Sequence, residues 1–256
     1  MNDFDVISFK TPVVRVFPTT YFEACKSGEP TIYYKDFSIN EFIGEKVASI
    51  RNIRSAHYFP VCLESKIKCL LSNDKFKYLN IKVGSCDFKE DSIQYRNIFQ
   101  FPFYFEKEAF RMLLDFCSDD KNRIDFINEN LEMIALDIFM GQIDRGTNIL
   151  YEFRPDGELH LSPLFDYSMS MYNDVDYATY GYTSDFFRLL RPEDYEKLLI
   201  QYPQFEEMLR CYDGVSLVPL IEDMCHERKF KLKHVDMDHY KRFDESTHKR
   251  LEKILR

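Results

Sequence analysis

Hydrophobic positions along this chain repeat every second residue at first and every third or fourth later, with one return to the shorter period between. Val13–Phe17 and Thr31–Lys35 alternate as strands do, and Lys26–Glu29 supplies the turn between them. Ser38, with Glu41 three residues on, has the form of a capping box that opens a helix running to about Asn52. Strands are expected again over 58–71 and 76–86, separated by Ser72-Asn73-Asp74. The period then lengthens, and 106–117 and 121–140 read as helices. In the second, Ile124, Ile127, Leu131, Ile134 and Ile138 define a buried face, and Gly141 is the expected stop.

The short period returns in Ile149–Phe153 and Leu159–Leu161, which predict a hairpin about Arg154–Glu158. Residues 167–184 are polar, rich in Tyr and Asp, and without periodicity. Those aromatic rings are expected to pack on the helical half. Residues 185–256 read as mostly helical, ending in an amphipathic stretch, Thr247–Leu255, that belongs to the core. The result is an α+β chain of two lobes, a small β-rich one over 1–90 and a larger, mostly helical one over 91–256, dividing near Gly84 to Gln100. There is no internal repeat or low-complexity linker.

Composition narrows the choice. With 24 Phe, 17 Tyr and 45% hydrophobic residues, the chain of 256 residues can bury a full core. Its formal charge of −9 argues against direct nucleic-acid binding, which gathers basic residues into a stripe. The short basic cluster His226–His234 reads as a solvated helix or loop. Seven cysteines, an odd number without a CxxC pair, fit reduced thiols, and no apolar signal region or membrane span is visible. A cytoplasmic protein with no membrane partner is expected.

Three separated pieces bear on phosphoryl transfer. In that reaction the protein supplies oxygen ligands for magnesium, a cation for the nucleotide and a group that orients the attacking oxygen. The first piece is Gln142–Asn148, a tight loop after a buried helix, in which Asp144 can face a hydroxyl and Asn148 a metal. The second is Leu161–Tyr167, which the hairpin returns to the same end; there Asp166 is flanked by Leu164 and Phe165, where a charge needs a cation. The third is Lys35 on an apolar strand, followed by a helix carrying Glu41 and Glu45. These two glutamates lie one turn apart, so spacing does not choose between them as the lysine's partner.

In order and content these pieces resemble the HipA-like serine/threonine kinases, a branch of the protein-kinase-like fold related in its core to phosphoinositide kinases. The match comprises Lys35, the helix Asn40-Glu41 to Glu45–Ser49, Asp144-Arg145 to Asn148, and Leu161–Asp166. The last is similar to that family's leucine-x-proline-leucine-aromatic-aspartate string. The resemblance implies an ATP- and Mg2+-dependent kinase with Asp144 as catalytic base, Asn148 and Asp166 as magnesium ligands, and Lys35 on the α- and β-phosphates. Phe17–Tyr21 would cover the phosphates through Thr19 and Thr20. It further implies a protein substrate and an antitoxin or other regulatory partner.

Two positions depart from that family. Asn148 follows Asp144 by four residues rather than five, with Gly146 in place of a histidine, and the covering segment has no glycine. A kinase-fold binding module without activity, and a kinase of small molecules, are therefore the rival expectations. Histidines 57, 160 and 226 are scattered, and the GxSxG, GxGxxG and GxxxxGK[ST] patterns of hydrolase, Rossmann and P-loop sites are absent.

Overall fold

The computed structural model describes residues 14–15, 22–24, 32–36, 38–62, 81–86, 88–97, 100–101, 109–142, 145, 148–168, 170–171, 192–228 and 230–256. Five strands form an antiparallel sheet: β1 (Val14–Arg15), β2 (Phe22–Ala24), β3 (Ile32–Asp36), β4 (Tyr58–Cys62) and β5 (Ile81–Cys86), ordered β1-β2-β3-β5-β4. Lys35 pairs with Val83 in the register of β3 and β5. Between β3 and β4 the chain forms α1 (Ile39–Ile50), whose apolar face buries Phe42, Ile43, Val47 and Ala48.

The expected capping box does not form. Ser38 is the N-cap residue of α1 but makes no side-chain cap bond. The carboxylate of Glu41, which a capping box would turn back to Ser38, is drawn into the interior instead.

A second antiparallel sheet, β6-β7-β8, comprises Gln94–Asn97, Leu150–Phe153 and Leu159–Leu161. The last two strands are the expected hairpin, and Gly157 at φ 88° takes the left-handed position in its turn. Strand β6 lies in the stretch where the sequence predicts only the division between the lobes. Behind it lie α2 (Ala109–Leu114) and α3 (Asp120–Met140). Asp119 caps α3 by accepting the Asn122 N–H at 2.7 Å, and Gly141, at φ 57°, ends it. The apolar stripe of α3 begins later than expected. Ile124 is 57% exposed, whereas Leu131, Ile134 and Ile138 are buried and every residue from Met133 to Met140 is enclosed.

The helical half continues as α4 (Pro192–Gln201), α5 (Gln204–Asp213), α6 (Leu217–Glu227), a 3-10 turn at Leu232–His234, and α7 (Met237–Ile254). The amphipathic end of the chain is the last part of α7, and it packs through Thr247 and Leu251 into the core as expected. Helix α1 touches α3 and α6 as well as β4, so it is held between the five-stranded sheet and the helical half. No helix among the described residues is long and apolar enough to cross a membrane.

Candidate active site

Helix α3 delivers the chain to the loop that contains the first chemical motif. Within that loop, Arg145 is fully buried and forms a two-pronged ion pair with Asp137 of α3, at 2.9 and 2.8 Å. A buried pair holds only when the geometry is good and the remaining donors are used. Here the remaining guanidinium nitrogen donates to the carbonyl of Phe165 at 2.7 Å, and the guanidinium carbon lies 5.2 Å from the centre of the Tyr167 ring. Gln142 adds a second tie, its side-chain nitrogen donating to the Asp166 carbonyl at 2.7 Å. On the other side of Arg145, the Asn148 N–H donates to the Arg145 carbonyl at 2.9 Å, leaving Asn148 8% exposed. Arg145 therefore fixes Asn148 relative to Asp166 through one backbone carbonyl and one guanidinium.

Asp166 sits at φ 59°, a left-handed conformation that costs a non-glycine residue free energy and persists only where its surroundings impose it. The surroundings do so at three points. The Asp166 N–H donates to the Tyr58 hydroxyl oxygen at 2.9 Å, its carbonyl accepts from Gln142, and its carboxylate accepts from the Ser168 hydroxyl at 2.6 Å. Just before it, Leu164 exchanges backbone bonds of 2.8 Å with Arg54 and Ala56, tying this segment to the loop between α1 and β4.

The two glutamates of α1, equivalent by spacing, have different surroundings. Glu41 is fully buried and accepts the Tyr167 N–H at 2.8 Å. Glu45 faces outward, bonded to His57 at 2.6 Å, to Arg228 at 3.1 Å and to the Tyr58 N–H at 3.2 Å. Tyr58 reports the charge gathered on the Glu41 side. Burial, followed by the nearby Glu41, Tyr167 and Asp166, holds its hydroxyl well above the ordinary tyrosine value, so it stays protonated. Tyr167 turns its ring onto α1 at Gly44 and its hydroxyl to Ser55 at 3.0 Å, where burial likewise keeps it protonated.

Lys35 is described as a backbone position of β3 only. Thr19, Thr20 and Asp144 lie outside the described residues, as do Tyr172, Tyr177, Tyr180 and Tyr182. Among the described candidates, Glu41 and Asp166 are brought together through Tyr167, and Asn148 is joined to them through Arg145. The sequence reading missed Asp137, Gln142, Tyr58 and Gly44. Asp137 had a visible signal: an acid in the otherwise apolar run Met133–Met140, eight residues before an arginine that it buries. Tyr58 had none, because its role depends on a partner far along the chain.

A small antiparallel sheet carrying a helix with a buried glutamate, set against a helical half that presents a loop and a hairpin, defines a two-lobed protein-kinase-like fold. Solved structures of that fold superpose on this chain. The crystal structure of CtkA, a proinflammatory kinase of Helicobacter pylori, aligns with a TM-score of 0.59 at 14% identity, over 92% of this chain and 91% of that one. HipA of Shewanella oneidensis MR-1, crystallised with HipB and operator DNA, aligns at 0.50 and 12% identity, over 98% of this chain and 67% of that one. No protein-family profile matches the sequence, and no curated protein does.

Proposed function

We propose that this chain is an ATP- and magnesium-dependent phosphotransferase acting on protein serine or threonine. The observation that carries the reading is the convergence of Gln142, Arg145 and Glu41, from two distant parts of the chain, on residues 165–167. That convergence sets an acidic, partly buried carboxylate at Asp166 beside a buried glutamate on a helix that follows the lysine strand. Phosphoryl transfer requires this kind of fixed electrostatic frame more than it requires covalent chemistry.

In this reading Asp166 and Asn148 hold magnesium, whose preference for hard oxygen ligands suits one carboxylate and one amide oxygen. An ion held there would supply positive charge to the phosphates. Lys35 bonds the α- and β-phosphates and is oriented by Glu41 rather than Glu45, because Glu41 is the one turned toward the interior. Thr19 and Thr20 cover the phosphates. Asp144 accepts the proton of the acceptor hydroxyl as its oxygen bonds to the γ-phosphorus; the bond from that phosphorus to the bridging oxygen breaks, and ADP leaves. A protein regulator of the antitoxin kind belongs to the same reading and rests on the HipA neighbour alone.

The test is transfer from γ-labelled ATP with magnesium to the protein itself and to a cell lysate. Label on serine or threonine, lost in Asp144→Ala and Asp166→Ala, is the expected result. Absence of label on any acceptor overturns it. Label on a small molecule would keep the phosphotransferase and change its acceptor. The four-residue step from Asp144 to Asn148 favours a second reading, a kinase-fold binding module, whose signature is no transfer together with no melting shift in magnesium and ATP.

A further inference from the structure

The helix that carries Glu41 is held in place by parts of the chain far from it in sequence. At its first turn, the Asn40 side chain makes two opposed hydrogen bonds. Its nitrogen donates to the Ser170 carbonyl at 2.5 Å, and its oxygen accepts from the Tyr240 hydroxyl of α7 at 2.7 Å. One residue earlier on α7, His239 bonds the Met171 carbonyl at 2.6 Å. Further along α1, Phe42 meets Phe230 edge-on at 5.0 Å, with the Arg228 guanidinium 5.8 Å from the centre of the Phe42 ring. Arg228 also bonds Glu45, and Lys46 pairs with Glu227 at 2.6 Å.

These contacts differ in weight. The Lys46–Glu227 pair is partly exposed and contributes little by itself. The Asn40 contact is different, because Tyr240 is 5% exposed and burial pushes its hydroxyl above the ordinary tyrosine value, keeping it a donor. Asn40 also sits next to Glu41 in sequence, so whatever fixes Asn40 fixes the glutamate. The same amide anchors Ser170, four residues past Asp166. Its two bonds therefore join three elements: the first turn of α1, the segment leaving Asp166, and α7.

In kinase-like folds the lysine–glutamate pairing depends on where this helix sits, and such helices can move as two-state elements. We infer that Arg228, Phe230, His239 and Tyr240, acting chiefly through Asn40 of α1, form a built-in clamp that keeps α1 in the position where Glu41 meets the Asp166–Tyr167 segment. Asn40 and Tyr240 are positioning residues. They act on the phosphate site through Glu41 and touch no substrate themselves. The clamp gives the chain its own means of setting the helix, whose position in protein kinases is also under the control of activation-loop phosphorylation. Its catalytic consequence rests on the phosphotransferase reading, but its mechanical part does not.

The experiment uses the full chain, with Tyr240→Phe, which removes one hydroxyl, and Asn40→Ala, which removes both bonds. Two measurements are made on each: amide exchange across α1 without nucleotide, and magnesium-dependent ATP binding with and without Glu41→Gln. Loss of one bond of this kind is expected to change the local equilibrium by about tenfold, and loss of both by more. Exchange in α1 should therefore rise by about tenfold in Tyr240→Phe and further in Asn40→Ala, while that in α4 stays fixed. ATP affinity should fall in both variants, and the fall should vanish in the Glu41→Gln background, since the clamp acts through that carboxylate. Exchange in α1 unchanged within about twofold of the parent protein overturns the clamp. So does an affinity loss that persists undiminished when Glu41 is replaced. If exchange rises but the unmodified protein binds no nucleotide, the clamp stands and the phosphotransferase reading falls.

Discussion

A methyl group added at Gly44 has nowhere to go. The β-carbon of an alanine there would lie 2.2 Å from Cγ of Tyr167 and 2.5 and 2.6 Å from the two Cδ atoms of the ring. Ordinary carbon contacts lie near 3.5–4.0 Å, so the ring would have to retreat by roughly 1.5 Å. It cannot do so freely. Tyr167 is fully buried, with Arg145 on one face, the Tyr58 ring 6.3 Å away and Ser55 on its hydroxyl. Overpacking of this kind costs about 1–3 kcal/mol, and losing the Ser55 bond about 1 more. Alanine returns about 1 kcal/mol through its better helix propensity. The net expectation is a loss of about 2 kcal/mol, which for a domain of this size lowers Tm by about 4–8 °C in calorimetry. The sign should reverse when the ring is absent: in a Tyr167→Ala background, Gly44→Ala should stabilise by up to about 1 kcal/mol. If Gly44→Ala raises the Tm of the otherwise unmodified protein, Tyr167 does not lie on α1, and the positioning of Glu41 through its N–H fails with it.

Breaking the buried ion pair should destabilise strongly: Asp137→Ala leaves Arg145 charged and enclosed, at about 3–5 kcal/mol in urea denaturation. The apolar pair Asp137→Leu with Arg145→Met should recover much of that stability but not transfer, because the bond to the Phe165 carbonyl is gone; recovery of both would refute the positioning role of Arg145. Alkaline stability should fall as well. Burial raises the hydroxyls of Tyr58, Tyr167, Tyr212 and Tyr240 above their unfolded value, so the folded state holds protons that the unfolded state releases. Their contribution is complete below about pH 10 and declines as pH rises past it. Tyr212→Phe, which removes a buried hydroxyl with no hydrogen-bond partner among the described residues, should flatten that decline in pH-dependent urea melts; an unchanged slope would refute it.

What could be read in advance followed from local pattern. The span of α3, its Gly141 stop and the hairpin around Gly157 are set by neighbours within a few residues, and the structure has them where the sequence put them. The failures share a cause in long-range partners. Ser38 and Glu41 have capping-box spacing, yet the Tyr167 N–H, 126 residues away, takes the carboxylate. Strand β6, Gln-Tyr-Arg-Asn, has no apolar alternation; it exists because β7 offers a paired edge and because Tyr95 packs on Phe88. Ile124 fits the α3 stripe but lies in its first turns, where it remains exposed. At the site, Asp166 and Asn148 were visible as residue types, and Glu41 as one of two choices. That Glu41 turns inward and Glu45 outward required knowing that Arg228 and His57 occupy the outer face of α1.

The four-residue step from Asp144 to Asn148 bears on the proposed metal site through the turn that follows Arg145. A magnesium site of the proposed kind depends on the distance from Asn148 to Asp166, and Asp144 is not one of its ligands. That distance is governed by Arg145. Its carbonyl holds the Asn148 backbone and its side chain holds the Phe165 carbonyl, while Asp137 fixes the guanidinium from behind. The Asn148 N–H bond to the Arg145 carbonyl spans Gly146 and Thr147, so the short step sets where Asn148 stands against this frame, while the ties of Arg145 to Asp137 and Phe165 do not depend on it. The altered spacing therefore bears first on Asn148 rather than on Asp166.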